Sequence, residues 1–222
     1  MKIRSIHQIE MTSRCNLRCK YCVHPTMTRA KEDMSDVTWR AALAWVRIFV
    51  DAGTQGRELN LCGIGESTLH PMFGEWCLQA RAAIGNERDL VLATNGVGVT
   101  EDHALAMRYA RTKVWVSLHR PEKGGPSVNL LKRYGVLAGV SIDPSISGVD
   151  WAGQVKWEVT APRSVCPWLK EGKVMIGSQG DVLTCSFDGN GVGRLGVVWG
   201  DVASMESSPY ALCANCHQEV PA

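Results

Sequence analysis

Apolar positions along the first 140 residues alternate between short runs and helical stripes. Residues 6–11 predict a short strand. Ser35 is a good helix N-cap, and apolar residues then recur at Ala41, Ala44, Trp45, Ile48 and Phe49, with Gly53 as the stop. Residues 59–62 predict a second strand, followed by Gly63-Ile64-Gly65-Glu66. A second helical stripe runs through Phe73, Trp76, Cys77, Ala80, Ala83 and Ile84 to Gly85. Residues 89–94 predict a third strand ended by Asn95-Gly96. Thr100 then caps a helix whose first turn carries Glu101 and Asp102, where the helix dipole favours anions. Fourth and fifth strands are predicted at 114–118 and 136–142. Between them lies a helix over 126–134, with Pro126 near its start and Gly135 past its end. A sixth strand is predicted at 157–160.

Strand and helix in alternation, with nearly continuous apolar strands, predict an α/β fold with a parallel sheet covered on both faces. Six such units make a partial (β/α)6 TIM-like barrel over residues 1–162. The fifth crossover is the weak one, because the segment from Asp143 to Gln154 around Trp151 carries no helical stripe. After Pro162 the pattern changes to short strand-like pieces at 174–176 and 182–184, which flank a Gln179-Gly180 turn. Residues 163–222 are therefore predicted to be a small C-terminal cysteine-rich subdomain, and a segment of roughly 60 residues needs a staple to stand.

With 45% hydrophobic and 21% charged residues, the 222-residue chain has a globular balance that excludes disorder. No apolar run reaches the roughly 18 residues of a membrane span, and the N-terminus is polar where a signal peptide would be apolar. A cytoplasmic protein with no membrane partner is expected. Lys+Arg 24 against Asp+Glu 22, without a basic cluster, gives no footprint for nucleic acid. Nine cysteines, an odd number, point in an unexported chain to metal or redox chemistry rather than disulfides.

Cys15, Cys19 and Cys22 stand in CxxxCxxC spacing directly after the first strand. Three thiolates on one loop can hold three irons of a [4Fe-4S] cubane and leave the fourth iron open to an external ligand. The alternative is a Cys3His zinc site completed by His24. With Tyr21 before the third cysteine and Gly63-Ile64-Gly65-Glu66 ending the second strand, the chain resembles the radical S-adenosylmethionine (radical SAM) superfamily. Ile64 departs from that family's Gly-Gly-Glu. The resemblance implies that S-adenosylmethionine chelates the open iron and yields a 5′-deoxyadenosyl radical, which takes a hydrogen atom from substrate. It also implies cofactor contacts from Tyr21, Gly63, Gly65, Glu66, Asn95 and Ser117. Glu66 would accept from the methionine ammonium, and the glycines would let the backbone approach the ligand.

Cys166, Cys185 and the CxxC pair Cys213 and Cys216 form a second set. They resemble the twitch subdomain, the shortened relative of the SPASM domain, which implies one auxiliary [4Fe-4S] cluster; a structural zinc ribbon is the alternative. Cys62 and Cys77 read as small core residues. Two such clusters would take the formal charge of +2 to roughly −1. Four thiols saturate a cluster, so the second should conduct electrons, and the pair implies net oxidation of substrate. The layout is similar to that of the superfamily's deoxy-scyllo-inosamine dehydrogenases, which implies oxidation of a small polar metabolite. His119 and Asp143 are candidate bases, with Glu158 behind them, and Arg120 could grip an anionic group. The resemblance also implies an external one-electron reductant of flavodoxin or ferredoxin type. A peptide-modifying maturase acting on a peptide substrate is the alternative, although no recognition domain is expected before the first strand. A zinc-stapled binding module is the alternative of another class.

Overall fold

The computed structural model describes residues 1–142 and 149–221. Five strands alternate with four helices in the first part: β1 (Ser5–Ile9), α1 (Asp36–Asp51), β2 (Glu58–Asn60), α2 (Phe73–Ile84), β3 (Asp89–Thr94), α3 (Glu101–Tyr109), β4 (Thr112–Ser117), α4 (Pro121–Arg133) and β5 (Leu137–Ser141). A short helix α5 (Pro167–Glu171) then leads into β6 (Lys173–Ile176), β7 (Asp181–Leu183) and β8 (Arg194–Val197). All eight strands form one sheet in the order β5-β4-β3-β2-β1-β6-β7-β8. β1 to β6 are mutually parallel, and β7 and β8 turn back antiparallel. This is the open α/β partial barrel that the alternation predicts.

The sixth parallel strand is not where the sequence places it. Residues 157–160 form no strand, and β6 pairs instead with the free edge of β1, 168 positions earlier at Ser5↔Lys173. A strand pairs by register and available edge, which a local apolar run does not encode. The cysteine-rich segment is thus an extension of the same sheet across the 162/163 boundary.

Two helices also differ from expectation. On α1 the buried face is Thr38, Trp39, Ala42, Leu43, Trp45, Val46 and Phe49, while Ile48 is half-exposed and Ala44 points outward. Two overlapping i, i+3, i+4 stripes exist on this helix. The one that buries the Trp39 indole prevails, since a buried aromatic removes the most apolar area from water. Trp39 stacks on Trp76 of α2 at 4.5 Å, with the rings 1° from parallel. The α2 stripe buries all six residues expected, and Gly85 caps it at φ +74°. Helix α4 begins at Pro121 rather than near Pro126. Pro121 takes the N-terminal position where a missing N–H costs nothing, and Pro126 falls inside the helix. The added turn docks on the Asn95-Gly96 turn: Gly124 leaves room for the Asn95 carbonyl, and Ser127 donates to the Gly96 carbonyl at 2.5 Å.

No helix among the described residues is long and apolar enough to cross a membrane. Because the strands from β1 to β4 are parallel, the loops that leave them emerge at one edge of the sheet, where α/β barrels carry their chemistry.

Candidate functional site

A cavity of about 290 Å³ opens at that edge. Cys15, Cys19, Tyr21 and Cys22 line it from the loop after β1, Cys62, Gly63, Gly65 and Glu66 from the segment after β2, Thr94 and Asn95 from the end of β3, and Ser117 and His119 from the end of β4. The structure thus brings together the three loop cysteines, all six residues expected to contact the cofactor and one of the two candidate bases. Asp143, the other, lies outside the described residues. Glu158 is exposed, and Arg120 lines a smaller adjoining cavity of about 120 Å³ with Tyr21 and His119.

The sulfurs are held as thiolate ligands are commonly held, by backbone N–H groups. Leu17 N–H donates to Cys15 Sγ at 3.5 Å and His24 N–H to Cys22 Sγ at 3.4 Å; the Asn95 amide reaches Cys15 Sγ at 3.9 Å. Burial raises the Cys15 thiol and pushes Cys22 up to about 11, so ligation would displace protons there. His24 is buried and its Nε2 lies 3.0 Å from the Ser13 carbonyl. Among the described residues no three His, Cys, Asp or Glu groups close on a single ion. Three loop thiols beside an open, polar-edged cavity are a donor set that fits a [4Fe-4S] cluster with one iron left open.

The glycines also have a role within the chain. A Cβ on Gly65 would sit 2.2 Å from the Thr12 carbonyl oxygen, and one on Gly63 would sit 2.3 Å from Glu10 Cγ. The space is filled by the protein's own cysteine loop and strand end, so glycine here lets two backbone segments seal the cavity floor. Glu66 is likewise largely engaged from within. Its Oε1 accepts from Thr68 N–H (3.3 Å), Thr68 Oγ1 (2.8 Å) and Thr94 Oγ1 (2.8 Å), and its Oε2 accepts from Asn95 N–H (2.8 Å). Burial is the largest influence on this carboxyl and raises its pKa, against the four donors. One acceptor position remains on Oε2 for a cationic ligand. Asn95 spends its side chain on Asn16, on Cys15 and on Val97 N–H, so it ties β3 to the cysteine loop.

Tyr21 hydrogen-bonds His119 through its hydroxyl and His119 Nδ1, and its ring packs edge-on against Trp157 at 5.6 Å. Desolvation is the largest cause that raises Tyr21, with the three loop thiols adding to it, and desolvation lowers His119, so both groups are neutral at pH 7.

The other four cysteines line a second cavity, walled by Ala152, Trp168, Leu169, Phe187, Tyr210 and Leu212. Phe187 N–H donates to Cys185 Sγ at 3.3 Å and Gln218 N–H to Cys216 Sγ at 3.4 Å. Cys166 is drawn to the C-terminal segment by its N–H bond to the Glu219 carbonyl (2.8 Å). Burial first, and then the three neighbouring thiols, push Cys185 up to about 12. Cys62, read as core, is instead a wall of the first cavity and is kept protonated by burial, which pushes it up to about 12; Cys77 is fully buried.

Sequence reasoning missed the feature that joins the two halves. Glu10, fully buried at the end of β1, pairs with Arg29 at 2.7 Å, whose side chain is 9% exposed. Glu10 also accepts from Ile64 N–H (2.9 Å) and Ser178 N–H (3.2 Å), while Arg29 donates to the Gly189 carbonyl (2.7 Å). One ion pair thus ties together the cysteine loop, the glycine turn and the C-terminal hairpin. The signal available was weak: an acid between Ile9 and Met11 at the end of a predicted strand.

Comparison with known proteins follows this geometry. The family model of the Radical SAM superfamily matches residues 9–162. The chain is 36% identical over 94 residues to the PqqA peptide cyclase of Rhizobium meliloti (strain 1021), covering 41% of this chain and 22% of that one. It is 29% identical over 130 residues to the GTP 3',8-cyclase of Aquifex aeolicus (strain VF5), covering 55% and 38%. The matches therefore span well under half the length of those relatives. Among solved structures, BtrN in complex with AdoMet and 2-DOIA aligns with a TM-score of 0.72 at 18% identity, over 89% of this chain and 80% of that one. Native anSMEcpe with bound AdoMet aligns at 0.66 and 14% identity, over 89% and 79%.

Proposed function

This chain belongs to the Radical SAM superfamily, and we propose that it uses two [4Fe-4S] clusters and S-adenosylmethionine to oxidise a small polar metabolite. The observation that carries the reading is the pair of cavities, one with three thiols and polar strand ends, the other with four thiols and apolar walls. When bound, the cluster on Cys15, Cys19 and Cys22, with S-adenosylmethionine on its open iron, supplies a 5′-deoxyadenosyl radical as hydrogen-atom acceptor. The chain's residues do the rest. Glu66 Oε2 and the backbone around Gly63 and Gly65 would hold the methionine end, Tyr21 and Ser117 would contact the remainder of the cofactor, and Asn95 donates to the Cys15 sulfur.

His119 is suited to take the proton that an oxidised carbon must release. If the Tyr21 hydroxyl is directed at Cys19, an acceptor it is near enough to be perturbed by, its oxygen can accept from His119 Nδ1–H. That leaves His119 Nε2 as a free acceptor. Because burial lowers its pKa below 6.5, the ring stays neutral at pH 7 and protonates only as pH falls through the lowered value. Titration of the His119 ring by NMR should give a midpoint below 6.5, and a midpoint above it would remove His119 as the base. Arg120, which lines the adjoining cavity and lies 3.7 Å from Glu122, would meet a polar or anionic substituent.

Anaerobic reconstitution with iron and sulfide is expected to load about eight irons per chain and, with a strong reductant or a flavodoxin-type donor, to form 5′-deoxyadenosine. Cys213→Ala should lose about four irons and keep cofactor cleavage. A colourless protein carrying two zinc ions would sink the reading. The match to a peptide cyclase favours a second reading, modification of a peptide, which is distinguished by whether a peptide or a polyol alcohol consumes the radical.

A further inference from the structure

The wall between the two cysteine-lined cavities is a turn with unusual backbone. Trp151, Ala152 and Gly153 have φ of +55°, +58° and +80°, and only the last is a residue that adopts this region freely. Such a conformation in consecutive side-chain-bearing residues persists only where the surroundings over-determine it, and it clusters at functional places. Here the surroundings are the two cysteine sites. The Trp151 indole N–H donates to the Tyr21 carbonyl at 2.8 Å, and its ring lines the three-cysteine cavity. On the other side it meets the Phe187 ring edge-on at 5.7 Å. Phe187 lines the four-cysteine cavity and donates its backbone N–H to Cys185 Sγ at 3.3 Å. Gln154 Nε2 clamps the pair by donating to the carbonyls of Trp151 (2.6 Å) and Phe187 (2.7 Å). A Cβ on Gly153 would lie 3.2 Å from Asn215, the residue before Cys216, which wedges the turn against the CxxC knuckle.

From this continuity we propose that Trp151 and Phe187 are the electron bridge between the two cysteine sites. The inference rests on the two-cluster reading above and adds the residues that connect them. The step is a one-electron transfer. The electron leaves the three-cysteine side, from its reduced cluster or from a substrate carbon radical that has lost its proton to a base in that cavity. It enters the oxidised cluster on Cys166, Cys185, Cys213 and Cys216, which becomes reduced, and no bond of either ring is made or broken. Packed π-systems shorten the through-space gaps that an electron must tunnel across, and a leucine in either place reopens one.

The test uses reconstituted holoprotein without substrate. A laser flash on deazaflavin delivers one electron, and freeze-quench EPR follows its redistribution between the clusters, assigned with Cys19→Ala and Cys213→Ala protein. Trp151→Leu and Phe187→Leu should each slow redistribution at least tenfold at unchanged iron content. Trp151→Phe should stay within threefold of the parent, and Trp199→Leu, at an exposed indole away from the wall, should match it. Unslowed redistribution in both leucine variants overturns the bridge. Loss of iron from both of them also overturns it, by assigning the pair a structural role only. A parent protein with four irons instead of eight refutes the two-cluster reading itself, a result separable from the others.

Discussion

Cys19→Ala protein, reconstituted anaerobically beside the parent, is expected to hold about four fewer irons and to release no 5′-deoxyadenosine above the enzyme-free level. Cys19 is the middle thiol of a loop whose other two sulfurs are already fixed by Leu17 and His24 N–H groups. The remaining cysteine near this cavity, Cys62, follows β2 and is not on the loop, so it does not restore the three-thiol spacing. With two thiolates, two irons lack protein ligands and the single open iron that can chelate the cofactor is no longer defined. Iron analysis and chromatography of the nucleoside check this together. Cleavage at the parental rate would show that the loop does not carry the cofactor chemistry, whatever the rest of the fold does.

Arg29→Met is expected to lower stability by about 3–5 kcal/mol, the cost of leaving a buried charge without its partner. For a chain of this size that is a fall of roughly 6–20 °C in melting temperature. Glu10 is fully buried, so no water replaces the guanidinium, and the two backbone N–H donors to Glu10 offset only part of the loss. Glu10→Gln combined with Arg29→Met should recover part of the fall, since the isolated charge is then gone. Scanning calorimetry of apoprotein measures all three. A change under about 2 °C for Arg29→Met would mean that Glu10 is solvated or protonated in solution, and the tie between the two halves of the sheet would then be packing alone.

These two outcomes bear on one design. On the reading proposed above, the sulfurs of the cysteine loop must stand at fixed positions. The protein places the rigidity just outside the loop, in the Glu10–Arg29 pair, in Gly65 pressed on the Thr12 carbonyl and in the Asn95 amide on Cys15.

Much of this was legible along the chain. CxxxCxxC after a strand, Gly63 to Glu66 after the next and four further cysteines around a hairpin are spacings, and a spacing survives folding because it is covalent. The α2 stripe and the Gly180 turn are local in the same sense, since they depend on neighbours within a few residues. The face of α1 was misread because two apolar stripes compete there and the choice between them is made by Trp76, on another helix. The start of α4 was misread because its first turn is held by the Asn95-Gly96 turn, not by its own apolar pattern.

What the sequence alone determined is therefore the family, the parallel α/β frame and the spacing of the two cysteine sets. Tertiary structure alone decided that β6 would take the edge of β1, that Glu10 would find Arg29, and that Trp151 would stand between two cysteine sites. The reason is physical: a periodicity or a spacing is a property of a short segment, whereas an edge, a partner charge or a wall exists only once distant segments have met, and its energy depends on burial that no single segment contains.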